Sequence, residues 1–264
     1  MEIGISTATF WTKAYVEDSL PLINELNVGV CEVFLNTFSE YEPEFAKMLA
    51  GRKGKLAVHS VHSLNTHFEP QLFNISERTR LDAEVFFKKV VDAGEILGAK
   101  AYTFHGSSKN KFKTAYKYDF KWLGAVMENL SSYSKRKGVD VAFENVYWAM
   151  FDKPEFFLNL KEESPSVKAC LDLKQAALAE VDYKKYLDAM ADRLVTVHIS
   201  DFDQNGKTVL PGRGTVDFYR LFSDIKERGL DVPLIMELYP TDFETMDELK
   251  SAVYMLQMTL DKLN

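Results

Sequence analysis

Val139-Asp140-Val141-Ala142-Phe143-Glu144 is a short apolar run that ends in a carboxylate. The same form returns in Val167-Lys168-Ala169-Cys170-Leu171-Asp172 and in Leu234-Ile235-Met236-Glu237, and Val195-Thr196-Val197-His198-Ile199 carries a histidine within its last two residues. Upstream lie four more short apolar or alternating runs, Ile3 to Ser6, Val30 to Phe34, Ala57 to Val61 and Ala101 to His105, which makes eight strand candidates. Between the runs are amphipathic stretches. Leu81, Val85, Ala93 and Leu97 mark one helical face, Phe120, Leu123, Met127 and Leu130 a second, and Phe218, Leu221, Phe222 and Ile225 a third. A fourth, Leu249, Val253, Leu256, Leu260 and Leu263, closes the chain. Gly29, Gly98, Gly138 and Gly229 each stand just before a strand candidate, where a left-handed helix cap is expected.

Strict alternation of near-continuous apolar strands with helices is the pattern of a parallel sheet covered by helices. Eight such units in 264 residues fit a closed barrel, and no Gly-rich dinucleotide fingerprint follows the first strand to suggest an open Rossmann sheet. The expected fold is therefore α/β, a (β/α)₈ TIM barrel forming one domain over residues 1–264. The longest irregular stretches, Leu64 to Asn74, Gly106 to Lys117 and Asp203 to Val216, all follow strands, which in a barrel puts them on the catalytic face.

Composition narrows the function classes. With 46% hydrophobic and 27% charged residues the chain is that of an ordinary globular protein. It has no apolar run of the roughly 18 residues a membrane span needs and no signal-peptide pattern, so a cytoplasmic protein without a membrane partner is expected. Cys31 and Cys170 sit in strand-like runs and read as buried thiols. A net charge of −7 speaks against a nucleic-acid partner, which clustered Lys and Arg normally meet. Oligomeric state is not legible, and a homo-oligomer remains open.

Glu144, Asp172, His198 and Glu237 fall at the ends of four successive strands, five to eight. Taken singly, such an acid is an ordinary helix cap or loop residue, and a lone histidine in an apolar strand an ordinary core residue. Together, carboxylates at the ends of buried strands repel one another and resist desolvation unless a cation compensates them. One shared divalent ion is the economical solution. Three oxygen donors and an imidazole suit Mn²⁺ or Mg²⁺ before Co²⁺ or Zn²⁺.

In its order of motifs the chain resembles the xylose isomerase-like barrels, which include ketose 3-epimerases, inosose dehydratase, hydroxypyruvate isomerase and, more distantly, endonuclease IV. The resemblance spans nearly the whole chain and rests on Phe143-Glu144-Asn145, Leu171-Asp172, Val197-His198-Ile199-Ser200-Asp201, Leu210-Pro211-Gly212-Arg213-Gly214 and Met236-Glu237. It implies the same four metal ligands, and it implies that His105 faces the site cavity. The family pattern has Asp-x-x-His after strand six, whereas Asp172-Leu173-Lys174-Gln175 places Gln175 where that histidine stands. The Asp-x-His pair that endonuclease IV carries after strand seven is absent as well, so a trinuclear zinc phosphodiesterase site on abasic DNA is poorly supported. Gln175 would still offer a hydrogen bond to a substrate hydroxyl.

His62 and His105 close strands three and four and are read as substrate-binding residues, with His59 expected to point the opposite way from one of them by strand alternation. His67 is unassigned. Phe10, Trp11, Tyr147, Trp148 and Tyr239 follow strand ends, and Trp11 is chosen among them to stack on a sugar. Gly212 and Gly214 flank Arg213, so free N–H groups there, with Arg213 and Lys174, would favour a phosphorylated or acidic substrate. Asp201, three residues beyond His198, is read as a group bonding to a ligand from outside.

The expected activity is that of a divalent-metal-dependent isomerase or epimerase of a sugar or sugar-like small molecule. It would act through a metal-stabilised enediolate, with Glu144 and Glu237 as acid and base and Asp172 and His198 mainly holding the ion. The alternatives are a dehydratase of a polyol-derived ketone on the same scaffold and the endonuclease-like reading.

Overall fold

All eight apolar runs are staves of a closed, all-parallel barrel in the computed structural model, which describes residues 1–109 and 118–263. The staves are β1 (Ile3–Ser6), β2 (Val30–Leu35), β3 (Ala57–Ser63), β4 (Ala101–Phe104), β5 (Asp140–Glu144), β6 (Lys168–Asp172), β7 (Leu194–Ile199) and β8 (Leu234–Met236). Around the barrel the order is β1-β8-β7-β6-β5-β4-β3-β2, so each strand pairs with its neighbours in sequence and the last closes on the first. Ile3, Gly4 and Ile5 pair with Leu234, Ile235 and Met236 at that closure. The helices α1 (Val16–Asn24), α2 (Pro43–Arg52), α3 (Glu77–Leu97), α4 (Phe120–Arg136), α5 (Pro154–Glu163), α6 (Leu173–Leu178), α7 (Tyr183–Met190), α8 (Phe218–Glu227) and α9 (Met246–Asp261) fill the connections. Among the described residues, no helix is long and apolar enough to cross a membrane.

Three of the four expected helix faces pack as read. Leu123, Met127 and Leu130 of α4, Phe218, Leu221, Phe222 and Ile225 of α8, and Leu249, Val253, Leu256 and Leu260 of α9 are buried. The α3 face is corrected in its first half. Ala93 and Leu97 are buried as expected, but Leu81 and Val85 are exposed, and Ala83, Phe87, Val90, Val91 and Gly94 complete the buried side. Two residues turn a helix by about 200°, so Leu81 and Val85 lie opposite Ala83. Gly94 makes the close approach to the barrel, where a Cβ would stand 3.2 Å from Val61 Cγ2, and hydrophobicity alone underrates so small a residue.

Gly98, Gly138 and Gly229 take the left-handed conformation expected of helix caps. Gly29 does not, because Asn27 (φ 56°) makes that turn instead. The stretch after β3 holds two short 3₁₀ turns, Asn65–His67 and Glu69–Phe73, and the one after β7 folds on itself as a hairpin pairing Asp201–Phe202 with Thr208–Val209. Of the stretch Gly106 to Lys117, residues 110–117 lie outside the described residues. Both cysteines are buried thiols, and burial pushes each up to about 12.

Gly124, inside α4, sits against α5: a Cβ there would stand 2.3 Å from Glu163 Cβ and 2.9 Å from its carbonyl carbon. Alanine in an exposed helix interior normally gains about 1 kcal/mol over glycine. Here the backbone of α5 has to move, so Gly124→Ala should instead cost about 1–3 kcal/mol in urea unfolding. A stabilised variant would show that α4 and α5 pack less tightly than described.

Candidate active site at the barrel mouth

Glu144 is the last residue of β5, Asp172 the last of β6, His198 the second-last of β7, and Glu237 follows β8 directly. The closed barrel turns these four ends toward one point, and one ligand atom from each lies within 4.8 Å of all the others. His198 Nδ1 is 3.1 Å from Glu144 Oε1, 3.7 Å from Asp172 Oδ2 and 3.8 Å from Glu237 Oε2. The structure brings the four side chains singled out in the sequence to one place.

Local bonds set each orientation. The Asn145 side chain spans the β5–β6 gap, accepting from the Asp172 N–H (2.8 Å) and donating to its carbonyl (2.9 Å). Asp172 caps α6 through Oδ1, which accepts from Gln175 N at 2.7 Å. Oδ2 of the same carboxylate is buried without a hydrogen-bond partner. Glu237 is tied to β7 by its N–H to Ile199 O and by Ser200 Oγ on its carbonyl.

His62 of β3 and His105, just past β4, converge on Glu144 as well, His105 Nε2 at 2.7 Å and His62 Nε2 at 3.8 Å from Oε2. His62, His105 and Glu144 thereby form a second group whose ligand atoms could hold an ion. His59 breaks the expected alternation. The β2–β3 register slips between Cys31–Val58 and Glu32–Ser60, and His59 bonds across the barrel to Thr196 Oγ1 (2.9 Å). His67 stacks on Phe38 and bonds to the Tyr41 hydroxyl.

Beside the four donors lies a cavity of about 150 Å³, lined in part by Trp11, Phe34, Asn36, Lys174, Glu237 and Tyr239. Trp11 is more than half exposed there, and Trp148 packs edge-on to His105 at 5.7 Å. Gln175 accepts weakly from Tyr147 N at 3.4 Å, next to Asp172.

Two expected site residues lie elsewhere. Arg213 pairs with Glu248 at 2.7 Å and lines a different groove, with Leu210 and Thr245. Asp201 is buried, and its oxygens accept the N–H groups of Phe202, Gly212, Gly214 and Val216 instead of bonding to His198. The anion that the Gly212 and Gly214 amides meet is thus the chain's own Asp201. The reason is steric as well as electrostatic, since a Cβ on Gly214 would meet Asp201 Oδ1 at 2.3 Å.

Two participants, Glu32 and Glu69, escaped the sequence reading, and Lys174 takes another role than the one expected. Glu32, in the middle of β2, is wholly buried and bonds to His198 Nε2 at 3.1 Å. Lys174 was read as an anion binder, yet Nζ sits 3.1 Å from Glu237 Oε2 and 4.6 Å over the Tyr239 ring. Glu69, also buried, takes Ser63, Tyr102 and the N–H groups of His105 and Gly106, pinning the segment after β3 to the end of β4. The signal for Glu32 was available: a carboxylate between Cys31 and Val33 in an apolar strand must find buried partners.

Burial opposes the charge on Glu144, but His105 and His198 outweigh it and hold the carboxyl well below its ordinary range. Glu237 is likewise lowered, burial being overcome by Lys174 and then His198. Asp172 moves the other way, raised by burial that Lys174 only partly offsets. Burial and the neighbouring His105 bring His62 down to about 4. For His105 burial works against the proton, and Glu144 overrides it to give about 9.

Residues 18–257 match the family model of the xylose isomerase-like TIM barrels, and the chain belongs to that family. A D-tagatose 3-epimerase-like protein superposes with a TM-score of 0.82 at 16% identity, over 100% of this chain and 98% of the other. A D-psicose 3-epimerase from Clostridium cellulolyticum H10, solved with D-tagatose, gives 0.81 at 14% identity over 98% and 99%. An IolI protein with a bound zinc atom gives 0.80 at 18% identity over 99% of each chain. At these identities the likeness is one of fold. No curated protein sequence matches the chain.

His105 holds its proton more tightly folded than unfolded, so its contribution to stability is complete below pH 6.5 and is lost as pH rises through about 9. The melting temperature of EDTA-treated protein should fall across that window, and His105→Asn should flatten the fall. An unchanged slope in the variant would separate His105 from the ion-free charge balance.

Proposed function

We propose that the chain is a divalent-metal-dependent isomerase or epimerase of a sugar or sugar-like ketone, with Glu144, Asp172, His198 and Glu237 holding the ion. The observation that carries the reading is the convergence of those four donors within 4.8 Å, with Asp172 Oδ2 buried and unpartnered among them. A buried acceptor without a donor is costly, and a cation is the partner that the surrounding carboxylates also need. When bound, such an ion would polarise a substrate carbonyl and its neighbouring hydroxyl, acidifying the C–H between them.

The chain's own groups then move the proton. Glu237, kept ionised by Lys174, is placed at the cavity wall to take a proton from carbon, and Glu144, backed by His105, to exchange one from another side. Delivery on the opposite face inverts the carbon, as an epimerase requires. Trp11, which lines the cavity, offers an apolar ring to the sugar, and on the same reading His62, His105 and Gln175 would bond to its hydroxyls. The epimerase names among the similar structures support the substrate class. With Arg213 spent on Glu248 and Lys174 on Glu237, an unphosphorylated sugar is favoured.

A panel of ketoses with Mn²⁺ in D₂O, followed by NMR, should show deuterium entering the carbon skeleton. EDTA should abolish the exchange and Mn²⁺ restore it. Glu237→Gln should slow it by about 10²–10⁴-fold. Exchange at the normal rate in that variant would remove Glu237 from proton transfer.

One observation favours a second reading, metal-assisted phosphodiester hydrolysis. His62, His105 and Glu144 would hold a second ion, which would supply the Lewis acidity such hydrolysis uses. The net charge of −7 and Gln175 in place of the family histidine weigh against it. Metal analysis should give one ion per chain, whereas two or more with cleavage of abasic DNA would favour hydrolysis.

A further inference from the structure

We infer that Glu32 is the positioning residue of the ion site, holding the His198 ring by Nε2 so that Nδ1 faces Glu144, Asp172 and Glu237. The inference rests on the ion-binding reading and adds to it a residue from the far side of the barrel. Glu32 Oε2 accepts from Ser60 Oγ (2.8 Å) and Thr103 Oγ1 (2.8 Å), and Oε1 from Ser6 Oγ (3.1 Å). The fourth contact of the carboxylate is His198 Nε2 at 3.1 Å. A carboxylate offers about four acceptor sites, and donors from β1, β3, β4 and β7 occupy them.

The consequence is a fixed tautomer. Three hydroxyls already donate to Glu32, so it faces His198 only as an acceptor, and Nε2 must carry hydrogen. In a neutral imidazole the lone pair then lies on Nδ1. Nδ1 is the nitrogen that points at the three other donors, 3.1–3.8 Å away. A carboxylate behind a ligating histidine fixes its ring and raises its basicity, and losing it typically costs about 10–100-fold in metal affinity. A plain structural tie across the barrel would tolerate an amide. Glu32→Gln keeps the shape and an acceptor for the hydroxyls, but it can turn a donor toward Nε2 and so favours the wrong tautomer.

Co²⁺ titration of the full chain, read by calorimetry and by visible absorption, tests this. Glu32→Gln should weaken Co²⁺ binding by about 10–100-fold and alter the visible bands, with circular dichroism unchanged. Wild-type affinity and spectrum in the variant would overturn the role of Glu32 and leave the ion site standing. No Co²⁺ binding by the unsubstituted chain would overturn both. If Glu32→Gln does not fold, long-range ¹H–¹⁵N spectra of the Zn²⁺-loaded wild type decide the matter. A proton on His198 Nε2 with Nδ1 shifted by Zn²⁺ supports the inference, and a proton on Nδ1 contradicts it.

Discussion

Acidic side chains crowded into a desolvated barrel mouth are the constraint from which the rest of the site follows. Glu32, Glu144 and Asp172 are buried and Glu237 nearly so, all within reach of the His198 ring. Burying one ion costs several kcal/mol unless attraction and hydrogen bonds repay it. The repayment is distributed. Hydroxyls on three strands serve Glu32, two histidines serve Glu144, a lysine serves Glu237, and Asp172 is left with an oxygen unserved. That remaining imbalance is what a cation fits.

The barrel was legible because strands buried on both faces read as apolar runs, and because several of them end in acids, which a buried position holds only with partners. Strand bounds in the structure differ from the runs by a residue or two, as with β3 continuing from Val61 to Ser63. Of the α3 face, Ala93 and Leu97 were legible and the start of the helix was not, since Leu81 and Val85 face outward while small Ala83 and Gly94 face inward. Convergence of Glu144, Asp172, His198 and Glu237 could be anticipated, since consecutive staves of a closed sheet bring their ends together. Glu32 lies mid-strand, away from the strand ends where a barrel site is expected, and its only signal is a charge within an apolar run. The true environments of Lys174, Asp201 and Arg213 depend on which way long side chains and loops turn, and sequence spacing carries little of that.

Two further buried acids shape the rim. Glu69 gathers backbone amides at the end of β4, and Asp201 gathers those of the turn after β7. Each substitutes a carboxylate acceptor for regular backbone pairing where the chain leaves its strand, so irregular segments are tied down through side-chain bonds. Amides near the mouth that look free in the sequence are thereby occupied from within.

The contact between Lys174 and Glu237 has a consequence for loading. On the proposed reading, an ammonium and an incoming dication draw on one carboxylate, and like charges at such range repel. The lysine is thus a resident counter-ion that stays in the mouth when a guest enters. A dication would meet acids already partly neutralised, so the tether that keeps Glu237 ionised also lowers the pull of the mouth on a second positive charge.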